Sequence, residues 1–119
     1  MSDNSNRYFA HERLDAYGLA RRAVQLVKAS REQLRGLPGK AGEQLERAVV
    51  GAHTNLCSGA SHQGAEARRQ FRISLSEASE AGGATDLALD LGGLTPAEHA
   101  ELRRTLLRLA SCLNGLAHR

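Results

Sequence analysis

Two pairs of side chains stand close enough along the chain to do chemistry together. His53 and Cys57 are four residues apart, as are His62 and Glu66. On a helix that spacing puts both members of a pair on one face. An imidazole beside a thiol is the arrangement that activates a cysteine nucleophile. Cys57, however, falls near the C-terminal end of an apolar-periodic stretch, where the helix dipole disfavours a thiolate. His62 and Glu66 bracket a junction between loop and helix, so Glu66 reads as an acid placed at a helix start. Glu77 and Glu80 are three apart with no histidine nearby, which leaves a metal site short of ligands. No Glu-x-x-His pair of the kind used by di-metal bundles occurs. "GLPGK", residues 36–40, lacks the spacing and the following Ser or Thr of a phosphate-binding loop. The expectation is a protein without catalytic residues, metal or cofactor.

The basic residues say more. Arg21, Lys28 and Arg35 recur at heptad spacing and Arg31 extends them, so they form one stripe along a helix. Arg68, Arg69 and Arg72 form a second cluster, and Arg103, Arg104 and Arg108 a third. Acids such as Glu32, Glu66 and Glu101 interrupt all three. Two readings stand: solvated faces with internal ion pairs, or a surface that contacts phosphates. The formal net charge of +3 permits an anionic partner without requiring one. No aromatic platform for base stacking is evident, so RNA or DNA would be held electrostatically, with weak sequence selectivity.

These residues need elements to carry them. With 119 residues the chain suits one domain. Aromatic residues are only 3% and Trp is absent, so the core must be built from Leu, Ala and Val, which suits packed helices better than sheets. Residues 1–8 read as a flexible polar tail. A first helix is expected over about 10–35, with Leu14, Tyr17, Ala20, Val24, Val27 and Leu34 on one face. Gly36 sits where a helix-ending glycine belongs, and Pro38 cannot continue the helix. A second helix over about 42–58 buries Leu45, Ala48, Val49, Ala52 and Leu56, and Gly59 is placed to end it in the left-handed conformation.

A third helix, about 65–91, carries two apolar tracks. One is Phe71, Leu75, Ala78, Gly82, Thr85 and Leu89; the other is Ile73, Glu80, Ala84, Leu87 and Leu91. Gly82 and Gly83 inside it signal a close helix contact or a bend. The fourth helix, about 96–117, has the clearest start: Thr95 as N-cap, Pro96 at the first position and Glu98 completing a capping box. Leu102, Leu106, Leu109, Leu113 and Leu116 follow in steps of four and three. Four amphipathic helices with short links predict an all-α, antiparallel up-down four-helix bundle spanning 9–119. Surplus apolar surface at Leu87, Leu91 and near Tyr17 points to an oligomer interface.

Cys57 and Cys112 lie within helical patterns without Cys-x-x-Cys spacing and read as small apolar side chains in a reducing, cytoplasmic setting. The polar start of the chain has no signal-peptide core, and no apolar run suits a membrane.

The second helix also places Asn55 where its inner stripe should end. A buried amide costs roughly 1–3 kcal/mol unless it is paired. Asn55 either bonds across to another helix or to backbone near Gly59, fixing register, or is bonded locally. "LPGKAGEQLERAVVGAHTNLCSG" resembles the second-helix signature of bacterial four-helix-bundle proteins encoded in intervening sequences of large-subunit ribosomal RNA genes. The same superfamily includes accessory variability proteins of diversity-generating retroelements. Leu37, Pro38, Gln44, Leu45, Arg47, Ala48, Asn55 and Gly59 match that pattern. Phe9, Leu14, Tyr17 and Ala20 upstream, and Arg69, Ile73 and Glu80 downstream, stand at matching places. Ser58 replaces the family glutamate, and Ser76-Glu77 replaces a glycine-serine pair, so any polar contact between the family Asn and Glu is altered here. The resemblance implies a non-enzymatic, ring-shaped homopentamer acting as an adaptor, with nucleic acid or a reverse transcriptase as partner.

Overall fold

The Thr95–Glu98 box closes as its spacing requires. The Glu98 N–H donates to Thr95 Oγ1 at 3.1 Å, and the Thr95 N–H donates to Glu98 Oε1 at 2.8 Å. Two of the donors that a helix start leaves without partners are thereby satisfied. The helix that follows, α5 (Pro96–Ala117), buries all five leucines of its ladder. Each stabilises the fold by about 1.5–3 kcal/mol.

The computed structural model describes residues 8–119, which contain helices and no strand. The tail expected over residues 1–8 lies, except for Tyr8, outside the described residues. Five α-helices are present: α1 (Asp15–Ala29), α2 (Arg31–Arg35), α3 (Ala41–Ala60), α4 (Gly64–Asp90) and α5. α1 packs against α3 and α5, and α4 packs against the same two, so these four enclose one core. The described residues form a body of 54 × 27 × 20 Å.

The first helix is not continuous over 10–35. Ala10–Arg13 is a single 3-10 turn, and Leu14 is extended (φ −92°, ψ 131°), so α1 starts at Asp15. Ser30 then divides α1 from α2. Its backbone leaves the helical region (φ −104°, ψ 13°) and its N–H bonds back to the Val27 carbonyl. The buried Ser30 hydroxyl donates to Glu98 Oε2 at 3.2 Å, tying this break to the start of α5. Gly36 ends α2 without a left-handed turn (φ −87°). Gly39 and Lys40 take that conformation instead, at φ 65° and 60°.

α3 buries the face that its periodicity predicts. Its end differs. Gly59 is neither left-handed nor terminal; it is a buried helical residue facing Phe71, and a Cβ there would lie 2.7 Å from the ring. The glycine is required by a close approach of α3 and α4. Asn55 also departs from the register idea: its amide donates to the Gly51 carbonyl of its own helix at 2.8 Å. The buried polar bond between helices comes from Ser74 on α4, whose hydroxyl donates to the Ala52 carbonyl of α3 at 2.6 Å.

α4 buries Ala67, Phe71, Ser74, Ala78, Ala81, Thr85 and Ala88. This is one stripe that keeps Phe71, Ala78 and Thr85 of the first apolar track and replaces the rest with Ala67, Ser74, Ala81 and Ala88, so small residues carry it between Phe71 and the helix end. Gly82 and Gly83 neither break the helix nor touch a neighbour: a Cβ on either would have nothing within 4 Å. The helix ends in a Schellman turn, with Gly92 left-handed (φ 82°) and the Gly93 N–H bonded to the Ala88 carbonyl at 2.8 Å.

Candidate functional site

The most developed surface feature is a groove between α1 and α3. Its floor is Val24 and Val50, the latter 43% exposed, and His53 lies at one end. Arg21 and Lys28 stand on the α1 wall and Arg47 on the α3 wall. Among the described residues none of these three cations has an ion-pair partner. Arg31 is tied to Glu46 across the groove, which fixes α2 to α3 and neutralises that part. Arg35 pairs with Glu32 at 3.7 Å on α2.

The Tyr17 end of the groove is filled from within the chain. The Tyr17 ring lies 4.5 Å from that of His11 and 5.6 Å from that of His53, centroid to centroid, with the Arg21 guanidinium 5.9 Å from its centre. Tyr17 is half-buried under these groups and belongs to this cluster. Burial lowers the His53 pKa, helped by the nearby charges of His11 and Arg21, so the imidazole is held neutral. Burial raises that of the Cys57 thiol. These shifts oppose a thiolate–imidazolium pair, which needs a depressed thiol pKa.

The other basic residues do not join this groove. Arg68, Arg69 and Arg72 lie in the first turns of α4, with Arg69 held 3.6 Å from Glu66. Arg103, Arg104 and Arg108 are exposed on α5, and a neighbouring ion pair, Arg22–Glu101, links α1 to α5. The structure thus gathers Arg21, Lys28, Arg31 and Arg35 along the edge of α1 and α2 that faces α3, and leaves the remaining arginines on two separate faces. Arg47 is the addition that sequence reasoning missed as a charge. It stands one turn before Val50 on the same wall, a spacing visible once the two helices are known to be neighbours.

The remaining candidate groups are occupied locally. His62 Nδ1 donates to the Ser58 carbonyl at 2.7 Å, while Glu66 accepts from Gln70 Nε2 at 2.9 Å, so they do not act as a pair. Glu77 lies half-buried over Gly51, and Glu80 is exposed. His99 Nε2 and Asp86 Oδ1, 2.7 Å apart, link α5 to α4. Among the described residues no three metal-ligating side chains converge. No helix there is long and apolar enough to cross a membrane. No protein-family model matches the chain, and no curated protein matches it.

Proposed function

We propose that the protein is a non-enzymatic helical adaptor, built as an antiparallel four-helix bundle, that holds a nucleic-acid backbone in the groove between α1 and α3. One observation carries this reading: Arg21, Lys28 and Arg47 flank an apolar floor and make no ion pair among the described residues, while Glu43 and the Arg31-bound Glu46 line the groove toward α2. Their positive charge is therefore available to phosphates. Arg21 and Lys28 are two helical turns apart, about 10 Å along the axis. That span exceeds the gap between successive phosphates of a strand, so the two cations would meet alternate phosphates, and the covered Tyr17 ring leaves base identity unread. The resemblance to the intervening-sequence and retroelement accessory proteins agrees with such a partner, either the nucleic acid itself or a reverse transcriptase acting on it.

The test is anisotropy titration of a labelled oligonucleotide at several salt concentrations. Three phosphate contacts give a slope of about −2 to −3 in log K against log salt. Replacing Arg21, Lys28 and Arg47 together with glutamine should abolish most binding and flatten the slope. Binding that persists unchanged in the triple variant would refute the groove.

A second reading, self-assembly, is favoured by exposed apolar side chains on α3, α4 and α5: Val50, Leu87 at 45% and Leu107 at 56% exposure. A ring of five is the assembly that the family resemblance implies. Leu87 and Leu91 contribute to such a surface from α4, whereas Tyr17 is engaged within its own chain. Sedimentation of the purified protein tests this directly, and a monomer at every concentration would refute it.

A further inference from the structure

The outward face of α4 is covered by no other helix of the chain. Ala65, Arg69, Arg72, Ser76, Ser79, Gly83, Leu87 and Asp90 are all exposed, on the side opposite the buried stripe. Three properties of this face are unfavourable for an isolated subunit. Arg72 toward its N-terminal end and Asp90 at its C-terminal end are exposed and make no ion pair among the described residues. An unpaired aspartate in the last turn opposes the helix dipole. Gly82 and Gly83 lower helix stability by roughly 1 kcal/mol each relative to alanine, yet no atom comes within 4 Å of where their Cβ would stand. Leu87 and Leu91 remain 45% and 39% exposed at the acidic end.

All three become favourable if a second copy lies antiparallel along the face. We propose that two subunits pair through α4 about a two-fold axis level with Ala81. Arg72 then faces Asp90 of the partner subunit, and the same pair recurs on the other side of the axis. Arg72 and Asp90 are equally distant from Ala81 and, at 100° per residue, share one angular position on the helix. Neither has an ion-pair partner among the described residues. Ser76, Ser79 and Gly83 lie between them, so the two backbones can approach closely. Antiparallel packing also sets each cationic N-terminal segment against an acidic C-terminal one, and the opposed dipoles compensate.

α4 has 27 residues and is about 40 Å long. A strip about 10 Å wide along it buries roughly 800 Å² in total, below the roughly 1,200 Å² of stable specific interfaces and in the range of weak, transient ones. The contact is therefore weak, concentration-dependent and salt-sensitive. It is isologous, so it closes at two subunits and is distinct from the heterologous contacts that a ring of five needs; it rests on the self-assembly reading only in that the exposed faces meet copies of this chain.

The experiment is sedimentation velocity over a concentration series at low salt, using wild type, Arg72→Glu, Asp90→Arg and the double exchange. Both substitutions are at exposed positions, and circular dichroism checks that each variant is folded. Each single reversal should shift the midpoint of dimerisation by tenfold or more, and the double exchange should restore it. Gly83→Leu should raise the melting temperature of the subunit while abolishing the dimer. Self-association that is indifferent to both single reversals overturns the α4 contact and leaves self-assembly standing. A wild type that is monomeric throughout overturns both.

Discussion

Gly59 and Gly82 allow one substitution to be compared in two surroundings. Both are helical, and both should gain roughly 1 kcal/mol of helix propensity on replacement by alanine. At Gly82 the new methyl has no neighbour within 4 Å, so that gain should appear in full. At Gly59 the methyl would lie 2.7 Å from Phe71 Cδ1 and Cε1 and 3.1 Å from Cζ. Phe71 is only 6% exposed, so its ring cannot swing into solvent to make room. Overpacking of this kind costs about 1–3 kcal/mol. Gly59→Ala should therefore leave the protein between unchanged and about 2 kcal/mol less stable, while Gly82→Ala stabilises it. Urea unfolding of the two variants beside wild type measures the difference, which should be about 1–3 kcal/mol. In thermal melts each kcal/mol corresponds to roughly 4 °C. Trimming the ring with Phe71→Leu should remove most of the difference. If Gly59→Ala stabilises as much as Gly82→Ala, the close approach of α3 and α4 at this point is wrong.

Ser74→Ala removes the hydroxyl that crosses from α4 to α3 in the core and should cost about 1 kcal/mol in urea unfolding. Thr95→Ala opens the capping box and should cost about 1 kcal/mol by the same measure, with the loss confined to α5 protection in hydrogen exchange. Glu98 titrates below the ordinary carboxylate range because the Thr95 N–H bonds to it, burial opposing and the hydroxyls of Thr95 and Ser30 assisting. A depressed folded pKa means that the stabilisation is present above the unfolded value of about 4.3 and is lost as pH falls through the folded one. The stability gap between wild type and Glu98→Gln should thus be constant at neutral pH and close on acidification below about pH 4. The gap is small, since this half-buried carboxylate at the helix start is still screened by solvent.

Much of the fold was legible because its signals are local. The Thr95–Glu98 box and the leucine steps from Leu102 to Leu116 depend only on helix geometry, and both form where the spacing puts them. Two of the departures arise from contacts between distant segments. Ser30 interrupts the first helix because its hydroxyl meets Glu98, 68 residues further on. Gly59 reads locally as a helix terminator, yet it is held inside α3 by the ring of Phe71. The inner stripe of α4 was obscured by composition. Alanine, serine and threonine form most of it, while Leu75, Leu87 and Leu89 remain at least partly exposed. The basic stripe of α1 was legible as a stripe. That Arg47 would join it required knowing that α3 runs alongside α1.

Alanine forms nearly half of the buried apolar positions, with Ala16, Ala20 and Ala23 on α1 opposed by Ala48 and Ala52 on α3. Small side chains remove little hydrocarbon from water as the helices come together. The heat-capacity increment of unfolding scales with that hydrocarbon area. For a chain of this length it should therefore be modest, and the free-energy curve against temperature correspondingly broad and shallow. Such a protein keeps its folded population over a wide thermal range through flatness of response, without a tall maximum at any one temperature.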